Sequence, residues 1–116
     1  MAHSKLGYVY ILASRRYGTR YVGVTSNLAQ RVAQHRLSLR AGFTAKYGVK
    51  RLVYFEVHGS MYDAIEQEKR LKKWRRLWKI QLIEKANPEW RDLWPEIEGM
   101  GRGPDEGLGG FPLARE

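Results

Sequence analysis

Gly7-Tyr8-Val9-Tyr10-Ile11-Leu12-Ala13 is followed by the polar stretch Ser14-Arg15-Arg16-Tyr17-Gly18-Thr19 and then by Arg20-Tyr21-Val22-Gly23-Val24. The outer pieces are β-branched and aromatic, with no breaker after Gly7. The middle piece carries turn residues around Gly18. Together they predict a β-hairpin. Pairing Ala13 with Arg20 sets Tyr10 opposite Gly23 and diagonal to Tyr21. In that register Val9, Ile11, Ala13, Val22 and Val24 form one aliphatic face, and Tyr8, Tyr10, Leu12, Tyr21 and Gly23 form the other. A shift by one residue mixes the two sets, so the hydrophobic pattern itself selects the register. Gly23 leaves space beside the phenols for something to approach the sheet.

Beyond the hairpin, Thr25-Ser26-Asn27 supplies N-cap chemistry for a helix from about Leu28 to Leu39, with Leu28, Val32 and Leu39 as its buried stripe. Arg31 and His35 lie four residues apart beside that stripe and share a face close to the sheet. Gly42 and Gly48 bracket a basic loop holding Phe43, Thr44, Lys46 and Tyr47. Arg51 to Val57 alternates Leu52, Tyr54, Glu56 against Val53, Phe55, Val57 and predicts a third strand. Ser60 caps the next helix, with Asp63 at the third position. Its stripe is Met61, Ala64, Ile65 and Leu71, and the position that completes it holds Glu68. A carboxylate there is costly to bury unless it is paired or bound to a cation; Arg31 and a metal ion are two partners that satisfy it. A further helix runs from about Arg76 to Lys85 and stops at Asn87-Pro88. Trp90 to Trp94 closes the domain ahead of Pro95.

The 116 residues include 21 Lys and Arg against 12 Asp and Glu, for a formal net charge of +9. One domain is the expectation at this length: residues 1–98 as the folded body and the Gly-rich residues 99–116 as a mobile tail. The tail holds two of the 21 basic residues and three of the 12 acidic ones, so the body alone carries +10. Absence of Cys excludes a disulfide scaffold, a zinc-thiolate site and a cysteine nucleophile, and three His residues offer little for a His-based zinc site. No apolar run is long enough to span a membrane, and the start of the chain is polar, so a cytoplasmic location is expected. The positive excess points to an anionic partner, with nucleic acid first. Between positions 69 and 79 stand Lys69, Arg70, Lys72, Lys73, Arg75, Arg76 and Lys79 with no acid among them. Self-repulsion in such a run costs a few tenths of a kcal/mol per neighbouring pair, a cost phosphates offset. Trp74 and Trp78 are interleaved and are expected to turn into the core.

Taken in order, Tyr8-Val9-Tyr10, Tyr21-Val22-Gly23, Thr25-Ser26-Asn27-Leu28, Arg31, His35, the loop Phe43-Thr44-Ala45-Lys46-Tyr47-Gly48 and Glu68 in Glu68-Lys69-Arg70-Leu71-Lys72-Lys73-Trp74 resemble the GIY-YIG nuclease superfamily, particularly its small stand-alone members. The resemblance covers roughly residues 5 to 95. It implies an α/β (α+β) fold, a three-stranded antiparallel sheet flanked by helices, and hydrolysis of nucleic-acid phosphodiesters with one divalent metal, Mg²⁺ or Mn²⁺. By the same resemblance Glu68 matches the metal ligand, Arg31 the transition-state arginine and Tyr21 the tyrosine that activates the attacking water. Tyr10 matches the first-signature tyrosine that positions water or phosphate, and His35 a position that assists proton transfer. Val24 stands where some relatives place a basic residue, and Ile80 where some have Asn. A phenol ionises near pH 10 in water, so Tyr21 needs a nearby cation to act as a base near neutrality.

The expectation is therefore a metal-dependent endonuclease acting on DNA. Lys46, Arg70, Lys72, Lys73 and Arg76 are the candidate nucleic-acid contacts. Phe43, Tyr47, Tyr54 and the two Trp residues offer stacking surfaces beside cations, which favours single-stranded over double-stranded DNA and leaves RNA open. The alternative is a nucleic-acid-binding module on the same fold that cuts weakly or not at all.

Overall fold

The computed structural model describes residues 6–37 and 42–99. Three strands, β1 (Gly7–Ala13), β2 (Arg20–Thr25) and β3 (Arg51–His58), form an antiparallel sheet in the order β2-β1-β3. The hairpin has the register that patterning selects: Ala13 pairs with Arg20 and Tyr10 with Gly23. Among the described residues five helices surround the sheet: α1 (Leu28–Arg36), α2 (Phe43–Tyr47), α3 (Met61–Lys73), α4 (Arg76–Ala86) and α5 (Trp94–Ile97). The α+β architecture inferred from the sequence is the one observed.

The two sheet faces make two cores. Val9, Ile11, Ala13 and Val22 join Val53 and, from the helices, Ala64, Leu71 and Ile83, with Trp90 closing this aliphatic core. Tyr10 and Leu12 join Leu28, Val32, Val49, Leu52, Leu93 and Ile97 in an aromatic-face core. Each large side chain buried in these layers contributes about 1.5–3 kcal/mol of transfer free energy. Helix α3 packs on β1 and β2, α4 packs against β3, and α1 packs against α5 on the other side.

Four local expectations are corrected. Helix α1 ends at Arg36 with Leu37 as its C-cap, whose N–H donates to the Ala33 carbonyl; Leu39 lies outside the described residues. The Phe43–Tyr47 loop is instead the short helix α2, stopped by Gly48 at φ 63°, the left-handed cap that only glycine adopts without steric cost. Strand β3 does not alternate cleanly. Ile11 faces Tyr54 but Leu12 faces Leu52, so Val53 is an extra residue at a β-bulge. Leu52 and Phe55 accordingly pack in the aromatic-face core, and Val53 and Tyr54 in the aliphatic one. Pro95 falls in the first turn of α5 rather than ending the chain's closing segment, because a first-turn proline loses no intrahelical bond.

Two further details hold the helical layer in place. The Ser60 hydroxyl accepts from Asp63 N–H at 3.1 Å, the cap read from sequence. After α4, the buried Asn87 amide donates to the Val53 carbonyl at 3.0 Å and to the Arg91 carbonyl at 2.9 Å, while its oxygen accepts from Arg91 N–H at 3.1 Å. That turn is therefore fixed to β3. Of the tail assigned to residues 99–116, everything after Gly99 lies outside the described residues.

Candidate active site

Because Tyr10 and Tyr21 share a sheet face and α1 crosses that face, the register dictates the first cluster. Tyr10 is 0% exposed, and its hydroxyl shares a hydrogen bond of 3.2 Å with His35 Nε2. The Tyr10 and Tyr21 rings lie 6.3 Å apart, Tyr10 and His35 5.9 Å, and Tyr21 and His35 5.5 Å. His35, 4% exposed, shares its other nitrogen with Thr44 Oγ1 at 3.0 Å. In the neutral imidazole one nitrogen donates and the other accepts, and in that form Tyr10 and Thr44 take opposite roles. Thr44 has no role in the sequence reading; its hydroxyl, two residues after Gly42, is brought under His35 by α2.

The space at Gly23 is occupied by the protein itself. A Cβ there would collide with the Tyr10 ring and hydroxyl, which lie across β2 at this point. Gly23 therefore lets Tyr10 cross its neighbouring strand, and no room for an outside ligand is left above it.

Glu68 lies on the other side of the sheet. It sits on α3 between Ala64 and Leu71, nearly buried, facing the aliphatic core. Its carboxylate is paired with Lys72 one turn on, not with Arg31 as the sequence allowed. Arg31 stays on α1, half-buried, one turn before His35. The structure thus brings Tyr10, Tyr21 and His35 into contact and sets Glu68 behind the sheet.

Strand β2 is an edge strand, and the two sides meet around it. A cavity of about 260 Å³ there is lined by Arg20, Tyr21, Val22, Lys72 and Lys79. It joins the half-exposed phenol Tyr21 to the lysine that holds Glu68. Burial and the Arg76 charge hold the Arg20 guanidinium below its ordinary value, and burial and the Arg20 charge do the same to Lys79. Neither Arg20 nor Lys79 is among the nucleic-acid contacts named from the sequence, although Lys79 closes the basic run. Arg20 is separated from the basic run by more than forty residues, and the fold alone joins them.

The remaining candidate cations are on the surface. Arg70, Lys72, Lys73 and Arg76 are exposed, with Arg70 donating to Gln67 at 2.7 Å and Arg76 to the Tyr17 carbonyl at 3.4 Å. Lys46 on α2 lies over the exposed Tyr47 ring, 5.4 Å from its centroid. Of the aromatic candidates, Trp74 packs against the aliphatic core but Trp78 does not. Trp78 is 49% exposed, edge-on to Trp74 at 6.0 Å, with Arg75 over its ring at 5.6 Å. Tyr54 is half-buried, packs against the aliphatic core and donates to Glu56 at 2.6 Å; burial and that carboxylate push its ionisation well up. The Phe43 side chain lies outside the described set.

Among the described residues, no three His, Asp or Glu side chains gather as a ready-made metal cage. A hard divalent cation such as Mg²⁺ commonly binds through one or two carboxylates and fills its other positions with water and substrate phosphate oxygens. Glu68, near-buried and paired with Lys72, would supply one such carboxylate. No helix among the described residues is long and apolar enough to cross a membrane.

Residues 6–81 fit the GIY-YIG catalytic domain, and the chain belongs to the GIY-YIG nuclease family. Nucleases of this family act on nucleic acid and generally use a divalent metal. The chain is 37% identical over 78 residues to a UPF0213 protein of Clostridium perfringens, covering 67% of this chain and 83% of that one. It is 34% identical over 77 residues to a UPF0213 protein of Oceanobacillus iheyensis, covering 66% and 88% respectively. A solution NMR structure of a UPF0213 protein from Bacillus halodurans aligns with a TM-score of 0.48 at 29% identity, covering 75% of this chain and 92% of that one.

Proposed function

We propose that the protein is a cytoplasmic endonuclease that hydrolyses DNA phosphodiesters with Mg²⁺ or Mn²⁺ and prefers single strands. The observation that carries this reading is the cavity at the β2 edge, where Tyr21 and the lysine paired with Glu68 line one space. A phosphodiester lying along that edge meets a phenol on one side and a carboxylate-bearing helix on the other.

In this reading the ionised form of Tyr21 takes a proton from the attacking water as the water oxygen bonds to phosphorus, the bond from phosphorus to the leaving oxygen breaks, and a solvent water protonates the leaving oxygen. Arg31 neutralises charge that develops on the phosphate. Tyr10 and His35 are too buried to touch a strand; they hold the Tyr21 side of the site in place, with Thr44 fixing the imidazole. Glu68 would hold the metal ion, which when bound would supply Lewis-acid stabilisation of developing negative charge. Lys46, Arg70, Lys72, Lys73 and Arg76 attract the backbone. The exposed Trp78 beneath Arg75, and Tyr47 beneath Lys46, support stacking of unpaired bases.

The test is to incubate labelled single- and double-stranded DNA with protein and Mg²⁺, Mn²⁺ or EDTA. Products are expected with metal only and more from single strands. Glu68→Ala and Tyr21→Phe are each expected to slow cutting by about 10²-fold or more. Equal nicking by wild type and Glu68→Ala would overturn the assignment. The pairing of Glu68 with Lys72 favours one second reading, a module that binds nucleic acid without cutting it, because the carboxylate already has a cation. That reading predicts salt-sensitive binding and no metal-dependent product.

A further inference from the structure

Arg20 opens β2 with a side chain that the protein only partly satisfies. Its Nη1 donates to the Gly18 carbonyl at 2.8 Å, while its Nε is enclosed with no hydrogen-bond partner. Lys79 reaches toward it from α4, its ammonium 3.5 Å from the Lys72 carbonyl. Arg20, Lys72 and Lys79 line the same cavity, with Tyr21 on its wall. Glu68, on Lys72, is the one carboxylate paired with these three cations among the described residues. The remaining positive charge is partly desolvated, and Arg20 and Lys79 repel: each is held below its ordinary ionisation value by burial and by a neighbouring cation.

Cations are normally spread over a surface or paired, because gathering them costs Coulomb energy that burial enlarges. Here the α3–α4 turn and the β1–β2 hairpin hold them against one another. A bound anion reverses the sign of that energy. With each water taking about 30 Å³, the cavity of about 260 Å³ has room for a phosphate group and several waters. A guanidinium offers a planar pair of donors to phosphate oxygens, and the two ammonium groups adjust to the rest.

We propose that this cavity is a phosphate subsite in which Arg20, Lys72 and Lys79 take one phosphodiester of a nucleic-acid strand, next to the one presented to Tyr21. The placement beside the scissile phosphate rests on the endonuclease reading; the occupancy by phosphate does not. The subsite sets how a strand lies along β2 and adds Arg20 and Lys79 to the residues that hold substrate.

The experiment measures binding of a single-stranded oligonucleotide as a function of salt without divalent metal, for wild type, Arg20→Gln, Lys79→Gln and the pair, with Lys85→Gln as a matched charge change on the exposed end of α4. Each lost phosphate contact flattens the slope of log K against log salt by about 0.7 for a single strand. Flattening by about 0.7 for each single variant and about 1.4 for the pair is expected, with Lys85→Gln well below that. Lys79→Arg is expected to restore the slope. In parallel, inorganic phosphate is titrated into the labelled protein. The Arg20 Nε–H resonance is expected to move in wild type and to stay still in Lys79→Gln, a readout that stands if Arg20→Gln does not fold. Slopes equal to that of Lys85→Gln, with an unmoved Arg20 resonance, overturn the subsite even in a protein that cuts DNA. Flattened slopes in a protein that never cuts leave the subsite standing and remove the cleavage reading.

Discussion

Gly23 and Tyr10 illustrate how much one position decides. Strand parity and register are enough to set the two opposite each other, because a one-residue slip would turn the aliphatic set outward. What parity does not contain is the direction in which a side chain leans along its neighbour. Tyr10 leans across β2, fills the space over Gly23 and reaches His35. Gly23→Ala is therefore expected to push the ring aside and to cost about 1–3 kcal/mol, the usual penalty for overpacking a tight core. Urea denaturation measures the cost, and the loss of Tyr10–His35 contacts in NMR spectra shows its cause. An unchanged midpoint would mean that the ring has another place to go. His35 was visible in the sequence as a partner of Arg31 at helical spacing. Its bond to Thr44 was not, since nothing in the Phe43–Tyr47 stretch marks it as a helix until Gly42 and Gly48 are seen in their folded conformations.

At the scale of elements, long-period features were legible and short-range interruptions were not. The α3 stripe and its Ser60 cap follow from spacing of three and four. The β3 bulge at Val53 does not, because alternation over Arg51–Val57 reads smoothly and only pairing with β1 shows the extra residue. The run of cations crosses from one helix to the next, whose start the sequence puts at about Arg76. It is split at Trp74 and Arg75, both extended, and this turn exposes Trp78 while Trp74 stays against the core. On α4, Glu84 accepts from Trp90 Nε1 at 2.7 Å and from the Tyr17 hydroxyl at 2.8 Å. It thereby ties the β1–β2 turn to the segment that holds the buried Trp90, a residue with φ of 56° that needs such anchoring. These two donors, Trp90 first, hold the Glu84 carboxyl below its ordinary value of 4.5. A depressed folded value stabilises the fold above the unfolded value and loses that stabilisation as pH falls through the folded one. Wild type is accordingly expected to exceed Glu84→Gln in stability at neutral pH, with the gap narrowing as pH drops below 4.5. Denaturation midpoints at several pH values check this; a gap independent of pH would contradict it.

For the molecule as a whole, charge was the earliest signal and the least specific. A net charge of +9 named an anionic partner without saying where it would lie. Folding concentrates part of that charge around the β2 edge, where Arg20 from the hairpin meets Lys72 and Lys79 from α3 and α4. The candidate residues were legible one by one, as two phenols around a glycine and a carboxylate on an apolar stripe. Their division between the two faces of the sheet was not, because it depends on which face α3 covers. The constellation is consequently not a single pocket but two walls that share an edge strand.

The central place of β1 has a further consequence, for motion. Val9 through Ala13 have no exposed surface, and the strand is paired on both sides. Both cores are built on it, one on each face. Its amide protons are therefore expected to exchange with deuterated solvent only when the entire domain opens, at the free energy of global unfolding, while amides on the outer margin of β2 exchange sooner. Exchange of β1 amides well before those of the buried α3 turns would show instead that the two cores open separately. With β1 locked, the tyrosine wall and the glutamate wall keep a fixed separation, and in the proposed reading adjustment to a nucleic-acid strand falls to the long cationic side chains at the rim.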